Sequence, residues 1–227
     1  SRASLALEKD RSEELLLNIL PRDVADELKA KGRSEARHIE QVTVLFTDFK
    51  GFTEASERLS ASALVAEVDA CFQAFDGIME RFGVEKIKTI GDAYMAAGGL
   101  RQATGGSATD VVRAGLAMQT FLIQRKLHHD QRGTTCFDMR VGIHTGPVVA
   151  GIVGVKKFQY DIWGDTVNTA SRMESSGEVG HVNISESTHA LVKDEPEFTF
   201  TTRGKVLAKG KGELHMFFVH LQAIPTT

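Results

Sequence analysis

Two carboxylates beside glycine turns are the residues of this sequence best suited to hold a divalent cation. Asp48 ends the alternating run Gln41–Thr47, and Asp92 follows Gly91 at the tip of a second alternating run. If both lie at one end of a sheet, their oxygens could bind Mg²⁺ or Mn²⁺ beside phosphate oxygens. The alternative is that each is an ordinary solvated acid at the end of a strand.

Two glycine-containing turns offer candidate phosphate contacts. The turn Phe49–Thr53 leads into a helix, so the backbone N–H groups near Phe52 and Thr53 suit an anion. Lys209 and Lys211 lie in a Lys-Gly-Lys-Gly turn, where glycine lets the chain approach a polyphosphate closely. Each pattern is also typical of a solvated surface turn.

Other polar residues could contact a nucleotide. Asn168 and Arg172 are four residues apart on a predicted helix and therefore share a face, although an exposed polar stripe is the commoner explanation. Asp161 lies in an otherwise apolar strand, where a buried carboxylate needs a partner, and Lys88 is the candidate. We interpret His144, in a strand flanked by glycines, as a packed histidine rather than a ligand.

Composition excludes several classes of protein. The 227 residues are 42% hydrophobic with a net charge of −3, which is ordinary for a globular chain and argues against a general nucleic-acid binder. Cys71 and Cys136 lie in apolar contexts typical of buried thiols. No apolar run is long enough to cross a bilayer, and no Cys/His spacing fits zinc. No nucleophilic triad or Walker-type loop is present either.

The predicted elements place these residues at strand ends and turns of an α+β sandwich. Strands that are joined by hairpins favour an antiparallel or mixed sheet with helices on one face over a doubly wound parallel sheet. Residues 102–108 are predicted to form a loop, and 31–37 a linker. A hairpin of two strands is predicted within 84–99, with its turn at 89–91. The other predicted strands are 41–47, 139–145 with a short apolar continuation to 154, 158–163, 181–184, 198–207 and 214–219. The predicted helices are 1–20, 22–29, one capped by Ser60 or Ser62 and running to 82, one capped by Thr109 and running to 122, 166–174 and 186–192.

Four segments together resemble the catalytic domain of the class III nucleotidyl cyclases. They are Phe46–Thr53, Lys86–Tyr94, Arg140–Gly146 and Tyr160–Met173, and their order makes the resemblance highly specific over roughly 39–221. The resemblance implies a ferredoxin-like (βαββαβ) core with additional strands and helices. It also divides the chain into a helical transducing or linker segment at 1–37, a catalytic domain at 38–222 and a tail at 223–227.

The resemblance further implies a homodimer with two active sites at the subunit interface. Asp48 and Asp92 correspond to the metal-binding aspartates, which one subunit supplies. Lys88 and Asp161 match the pair that reads adenine, where guanylyl cyclases typically carry Glu and Cys. The other subunit supplies this pair and the transition-state residues. Further matches are Asn168 for orienting the ribose, Arg172 for stabilising the transition state, Lys209 for the triphosphate, and Phe52 with Thr53 in the phosphate-binding turn.

These matches predict an adenylate cyclase that converts ATP to 3′,5′-cyclic AMP and pyrophosphate with two Mg²⁺ or Mn²⁺ ions per site. The alternatives are a guanylate or dual-specificity cyclase and a catalytically silent nucleotide-sensing dimerisation module. Intact Asp48, Asp92, Asn168 and Arg172 argue against the silent module. Since the chain begins with Ser1, we expect a cytoplasmic catalytic domain cut from a longer protein, which could be membrane-anchored and carry an upstream regulatory or sensor domain. No nucleic-acid partner is expected.

Overall fold

The computed structural model describes residues 2–101, 105–154 and 156–223. Within these ranges the chain forms seven helices and eight strands. The helices are α1 (Arg2–Leu17), α2 (Arg22–Lys31), α3 (Phe52–Arg58), α4 (Ala61–Phe82), α5 (Ala108–Gln131), α6 (Asp165–Ser175) and α7 (Glu186–Val192). The strands are β1 (Arg37–Lys50), β2 (Glu85–Ile90), β3 (Ala93–Gly98), β4 (Asp138–Val153), β5 (Gln159–Trp163), β6 (Val182–Ser185), β7 (Phe198–Ala208) and β8 (Gly212–Leu221).

All eight strands belong to one sheet of order β2-β3-β1-β4-β6-β8-β7, with β5 paired to β4 outside this order. Each pairing is antiparallel except that of β4 with β6. The chain order β1-α4-β2-β3-α5-β4 with sheet order β2-β3-β1-β4 is a βαββαβ arrangement. The predicted α+β class and ferredoxin-like core are therefore confirmed.

Strand β1 shows why the sequence folds in this way. Its apolar residues alternate, so Val44 and Phe46 are buried on one face of the sheet while Leu45 and Phe49 are buried on the other. The strand is longer at both ends than the alternation predicts, because β4 pairs with it from Arg37 to Lys50. Pairing with a neighbour, which the sequence of one strand does not reveal, decides these ends.

Helices lie on both faces of the sheet, whereas one face was expected. Helices α4, α5 and α7 pack on the face of Leu45, and helices α6 and α2 pack on the face of Val44. Side chains of β5 belong to the core of this second face. Gly142 of β4 permits the close approach of α6, since a Cβ there would lie 1.9 Å from the backbone nitrogen of Glu174. A central strand that is buried on both sides needs a layer on each side.

The N-terminal helices differ in how they are buried. Helix α1 has no buried residue, and Leu5 is among its exposed side chains. Residue Leu20 and the α2 residues Val24 and Ala25 are buried in the core of the α6 face. Helix α2 is therefore docked on the body of the domain.

Local signals account for most of the remaining differences. Ser107, rather than Thr109, caps α5 through a capping box with Asp110. Ser60 caps α4 as expected, and the additional short helix α3 precedes it. The hairpin turns at 91–92, with Gly91 at φ +60°, instead of at 89–91. Of the expected loop 102–108 and tail 223–227, residues 102–104 and 224–227 lie outside the described residues.

Among the described residues, no helix combines the length and the apolar composition that crossing a membrane requires.

Candidate active site

The two candidate metal-binding aspartates are brought together by neighbouring strands. Asp48 lies near the end of β1, and Asp92 lies in the turn before β3, which pairs with β1. The carboxyl groups are close enough to share a hydrogen bond. Burial raises the pKa of Asp48, and the charge of Asp92 raises it further. A divalent cation would relieve this crowding, so the pair fits the expected metal.

Positive charges surround Asp48 and favour its ionised form. Arg140 stands opposite it on β4, and Arg140 and Lys50 both lower the pKa of Asp48 against the dominant effects. Arg140 Nε also donates a hydrogen bond to Glu174 Oε2 of α6 at 2.9 Å. Burial raises the pKa of Glu174, while Arg140 lowers it. The sequence motifs did not single out this Arg140–Glu174 pair, although Arg140 lies in one of them.

The turn after Asp48 holds Phe52 and Thr53 at the start of α3. Gly51 adopts φ +79°, the left-handed conformation that glycine enters most easily, and the helix begins at once. Phe52 is half-buried and stacks on Phe137 with ring centroids 5.8 Å apart, whereas Thr53 is exposed. A cavity of about 310 Å³ lies beside this turn and is lined by Phe52, Leu64, Val65, Val68, Asp69, Phe72, Gly91 and Asp92.

Lys88 and Asp161 form the ion pair that the sequence indicated. Lys88 Nζ of β2 lies 2.7 Å from Asp161 Oδ2 of β5. The Asp161 side chain is only 10% exposed, and its second oxygen accepts the backbone N–H of Ile162 at 2.8 Å. Both oxygens of this nearly buried carboxylate therefore have partners, which offsets the cost of its burial. The pair forms within a single chain.

Asn168 and Arg172 project from α6 in the arrangement that their spacing predicts. Asn168 is exposed and Arg172 is partly exposed. Within the described part of the chain, neither side chain makes a hydrogen bond or an ion pair. The helix beneath them packs closely on the sheet, because its residues Met173 and Glu174 lie directly against Gly142. Helix α6 therefore presents two polar side chains that have no polar partner among the described residues.

The two turn lysines have different surroundings. Lys209 is exposed between β7 and β8 and has no polar partner among the residues that the structure describes. Lys211 forms an ion pair with Asp165 at the start of α6, which ties the turn to that helix. His144 lies nearby, and its pKa falls to about 4 because of burial and, second, the Lys211 charge. His144 Nδ1 lies 2.7 Å from Ser185 Oγ, which agrees with a packed neutral histidine.

Known proteins resemble the chain over nearly its whole length. The family model described as "Adenylate and Guanylate cyclase catalytic domain" matches residues 34–221. An adenylate cyclase of Mycobacterium tuberculosis is 38% identical over 218 residues, which are 96% of this chain and 48% of that protein. Human atrial natriuretic peptide receptor 2 is 38% identical over 217 residues, or 93% of this chain and 20% of the receptor. The chain thus spans about half or less of the length of these curated relatives.

Solved structures show the same fold. The adenylyl cyclase CyaB from P. aeruginosa has a TM-score of 0.77 at 30% identity, covering 84% of this chain and 98% of that one. The guanylate cyclase domain of RhGC from Catenaria anguillulae, solved with GTP, has a TM-score of 0.73 at 32% identity, with coverages of 82% and 100%. The chain belongs to the adenylate and guanylate cyclase catalytic domain family.

Proposed function

We propose that this domain is an adenylate cyclase, which converts ATP to 3′,5′-cyclic AMP and pyrophosphate. The proposal depends chiefly on the ion pair between Lys88 Nζ and Asp161 Oδ2, at 2.7 Å, in the positions that correspond to base recognition. A cation and a carboxylate side by side offer one donor and one acceptor. Adenine presents the complementary pattern, since its N1 accepts a hydrogen bond and its exocyclic amine donates one.

Guanine reverses both polarities at this edge. A guanine base would leave the Lys88 ammonium and the Asp161 carboxylate without matching partners, at a cost of about 1–3 kcal/mol for each buried group. Guanylyl cyclases typically carry Glu and Cys at these positions. The similarity to the RhGC guanylate cyclase domain, which was solved with GTP, makes a guanylate or dual-specificity cyclase the second candidate. The ion pair favours ATP over that candidate.

We assign the metal ions, two Mg²⁺ or Mn²⁺ per site, to Asp48 and Asp92. The raised pKa of Asp48, caused by burial and then by Asp92, is the observation that supports this assignment. When bound, such ions lower the pKa of the ribose 3′-hydroxyl and neutralise charge on the phosphates. The charges of Arg140 and Lys50 oppose this rise in the pKa of Asp48 and so favour the ionised form that binds a cation.

The remaining residues would bind and orient the nucleotide. Asn168 would hold the ribose so that its 3′-oxygen attacks the α-phosphorus in line with the departing pyrophosphate. Arg172 would meet the negative charge that grows on the phosphoryl oxygens during the transfer. Lys209 and the backbone N–H groups near Phe52 and Thr53 would bind the triphosphate. With these assignments, Asn168 and Arg172 of α6 and the turns that contain Thr53 and Lys209 would all contact the same nucleotide.

We further propose that the sites are shared within a homodimer. Asp48 and Asp92 would come from one protomer, and Lys88, Asp161, Asn168 and Arg172 from the other. This sharing would explain why Asn168 and Arg172 lack polar partners within the described part of one chain. Since every required residue is present, a homodimer would contain two complete sites, which also argues against a silent nucleotide-sensing module.

The cellular setting follows from the substrate and the relatives. ATP is an intracellular nucleotide, and the free thiols Cys71 and Cys136 suit a reducing compartment, so we propose a cytoplasmic location for this domain. The mycobacterial relatives extend well beyond the matched region. We therefore propose that a regulatory domain acts through α1 and α2.

Turnover of ATP and of GTP, each with Mg²⁺ and with Mn²⁺, tests the proposal when it is measured across protein concentration. We expect cyclic AMP as the main product and a specific activity that rises with concentration as protomers associate. A higher kcat/KM for GTP with both metals would contradict adenylate specificity. Full specific activity at concentrations where sedimentation shows only monomer would contradict the shared site.

A further inference from the structure

A cluster of side chains of the types that bind metal ions lies outside the candidate active site. Glu67 of α4, His129 of α5 and Cys136, just before β4, each offer one ligand atom, and these atoms all lie within 4.8 Å of one another. Sequence spacing did not indicate a metal site here, because Glu67 is far from the other two residues along the chain. The packing of α4 against α5 brings them together.

Thr134 orients the imidazole of His129. The Thr134 hydroxyl oxygen lies 3.2 Å from the backbone carbonyl oxygen of His129 and 2.7 Å from His129 Nδ1, so when the hydroxyl donates to the carbonyl, its oxygen accepts from Nδ1. His129 Nε2 then faces Glu67 Oε1 at 3.2 Å. That contact is attractive only when a positive centre, either a proton or a metal ion, lies between the nitrogen and the carboxylate oxygen.

Glu67 Oε1 is the point on which the cluster converges. Arg125 Nε donates to this oxygen at 2.6 Å, and Cys136 Sγ lies 3.7 Å from it. The other carboxylate oxygen accepts from the second Arg125 nitrogen at 2.9 Å. Arg125 could therefore keep one oxygen and orient the carboxylate while the first oxygen binds a metal, as outer partners of ligating carboxylates commonly do.

We propose that Glu67, His129 and Cys136 form a Zn²⁺ site. One thiolate, one imidazole and one carboxylate are ligands that zinc accepts, and a water molecule would complete a tetrahedron. The thiolate and the carboxylate supply two negative charges to the ion while Arg125 stays paired with the second carboxylate oxygen, and a hydrogen bond from His129 Nδ1 to Thr134 would orient the ligating histidine. A sulfur and a nitrogen ligand select zinc over Mg²⁺, which prefers oxygen.

The site lies next to an aromatic stack that supports the candidate phosphate turn. Cys136 is followed by Phe137, whose ring is stacked on those of Phe49 and Phe52 with centroid distances of 4.7 and 5.8 Å. Zinc bound to Cys136 would anchor the backbone at the start of this stack. The proposed zinc site would therefore be linked to the candidate active site through the rings of Phe137, Phe49 and Phe52.

Cobalt binding tests the site with a signal that only a thiolate ligand gives. Metal-free protein is titrated with Co²⁺ and then with Zn²⁺, and the sulfur-to-cobalt charge-transfer band is recorded. We expect the band to appear with Co²⁺, to disappear as Zn²⁺ displaces it, and to be absent in Cys136→Ala. Oxygen ligands such as Asp48 and Asp92 give no such band, so binding there does not interfere.

A matched pair of variants tests His129 as a ligand. His129→Gln should weaken Zn²⁺ binding, measured by competition with a colorimetric chelator, by at least about tenfold. His128→Gln, at the exposed neighbouring histidine, should leave it unchanged, and Cys71→Ala should keep the band. Absence of the band in folded wild-type protein, its persistence in Cys136→Ala, or equal affinities of the His129→Gln and His128→Gln variants would overturn the proposal. Circular dichroism establishes that each variant is folded.

Discussion

At the scale of single residues, Asp48 combines a proposed role in metal binding with a cost to stability. Burial and the neighbouring Asp92 raise its pKa, so its ionised form is less favourable in the folded chain than in the unfolded one. A cation held by the two carboxylates would remove that cost. The same proximity that suits metal binding therefore destabilises the metal-free protein.

Asp48→Asn should stabilise the metal-free protein at neutral pH while abolishing turnover. Because the pKa of Asp48 is raised on folding, its cost is absent below the unfolded-state pKa and grows as pH rises toward the folded-state pKa. A gain of about 1 kcal/mol would raise Tm by about 2–4 °C in a chain of this size. Thermal unfolding in chelator at several pH values measures it, with exposed Asp26→Asn as the control. A lower Tm for Asp48→Asn at neutral pH would contradict the expected strain.

Arg172→Ala should reduce kcat by about 10²- to 10³-fold with little change in ATP affinity, since charge at this position matters most in the transition state. Arg172→Lys should recover part of the loss, because it keeps the charge without the planar fork. Single-turnover kinetics and equilibrium binding of a non-reactive ATP analogue separate the two effects. If Arg172→Ala raised KM alone, Arg172 would act in ground-state binding.

Lys88→Glu combined with Asp161→Cys should shift preference from ATP toward GTP. The exchange reverses the polarity of the base-reading edge, and a change of about tenfold or more in the ratio of kcat/KM values is expected. Each single variant should lose activity with both nucleotides, because the remaining member of the 2.7 Å pair loses its partner. An unchanged ratio in the active double variant would exclude this pair from base recognition.

The sequence indicated individual candidate residues, but not most of the partners that surround them. Asp48, Asp92, Lys88 and Asp161 could be selected because charge beside a turn or within an apolar strand is conspicuous. The Lys211–Asp165 and Arg140–Glu174 pairs could not, since each joins elements that are distant in the sequence. Lys50 had no explanation from the sequence, whereas the structure shows that its charge favours the ionised form of Asp48.

At the scale of elements, α6 depends on the absence of a side chain in β4. The backbone of Glu174 lies so close to Gly142 that a Cβ would be only 1.9 Å away. Since Asn168 and Arg172 are on the same helix, any shift of α6 displaces both. The position of two candidate catalytic groups is thus determined by a glycine on the neighbouring strand.

Gly142→Ala should lower Tm and turnover together. Overpacking at such a contact costs about 1–3 kcal/mol or more, and relief requires α6 to move. Gly77→Ala, within α4 where a Cβ would meet nothing within 4 Å, is the matched control and should stabilise the protein slightly. Thermal unfolding and ATP turnover measure both variants. Full activity of Gly142→Ala with an unchanged Tm would show that α6 is not held in this way.

Most elements could be predicted because alternation and helical periodicity are local properties. Helix α7 has the predicted bounds, and the strand predicted at 158–163 differs from β5 by one residue. The layer on the second face could not be predicted, because nothing local indicates that α6 packs against Gly142. The cap of α5 was misplaced for a different reason: Ser107 and Thr109 are both good caps, and the capping box with Asp110 favours Ser107.

At the scale of the whole molecule, a shared site allows two inactive variants to restore each other. A mixture of Asp48→Asn and Arg172→Ala chains would form heterodimers in which one site carries both substitutions and the other carries neither. Roughly a quarter of wild-type activity is expected at equal concentrations if association is random. Turnover assays of the mixture and of each variant alone measure it. If the mixture is as inactive as its components, each protomer has its own complete site.

The hairpin β2–β3 has a consequence for how the two sites would respond to nucleotide. It carries Lys88 in one strand and Asp92 in its turn, and under the proposed sharing these residues serve opposite sites. A base bound against Lys88 would restrict the strand that leads to Asp92 of the same hairpin, and Asp92 would serve the opposite site. Binding of ATP would then be cooperative, because the first nucleotide would change the affinity of the second site. A hyperbolic binding curve would show that the hairpin does not couple the two sites.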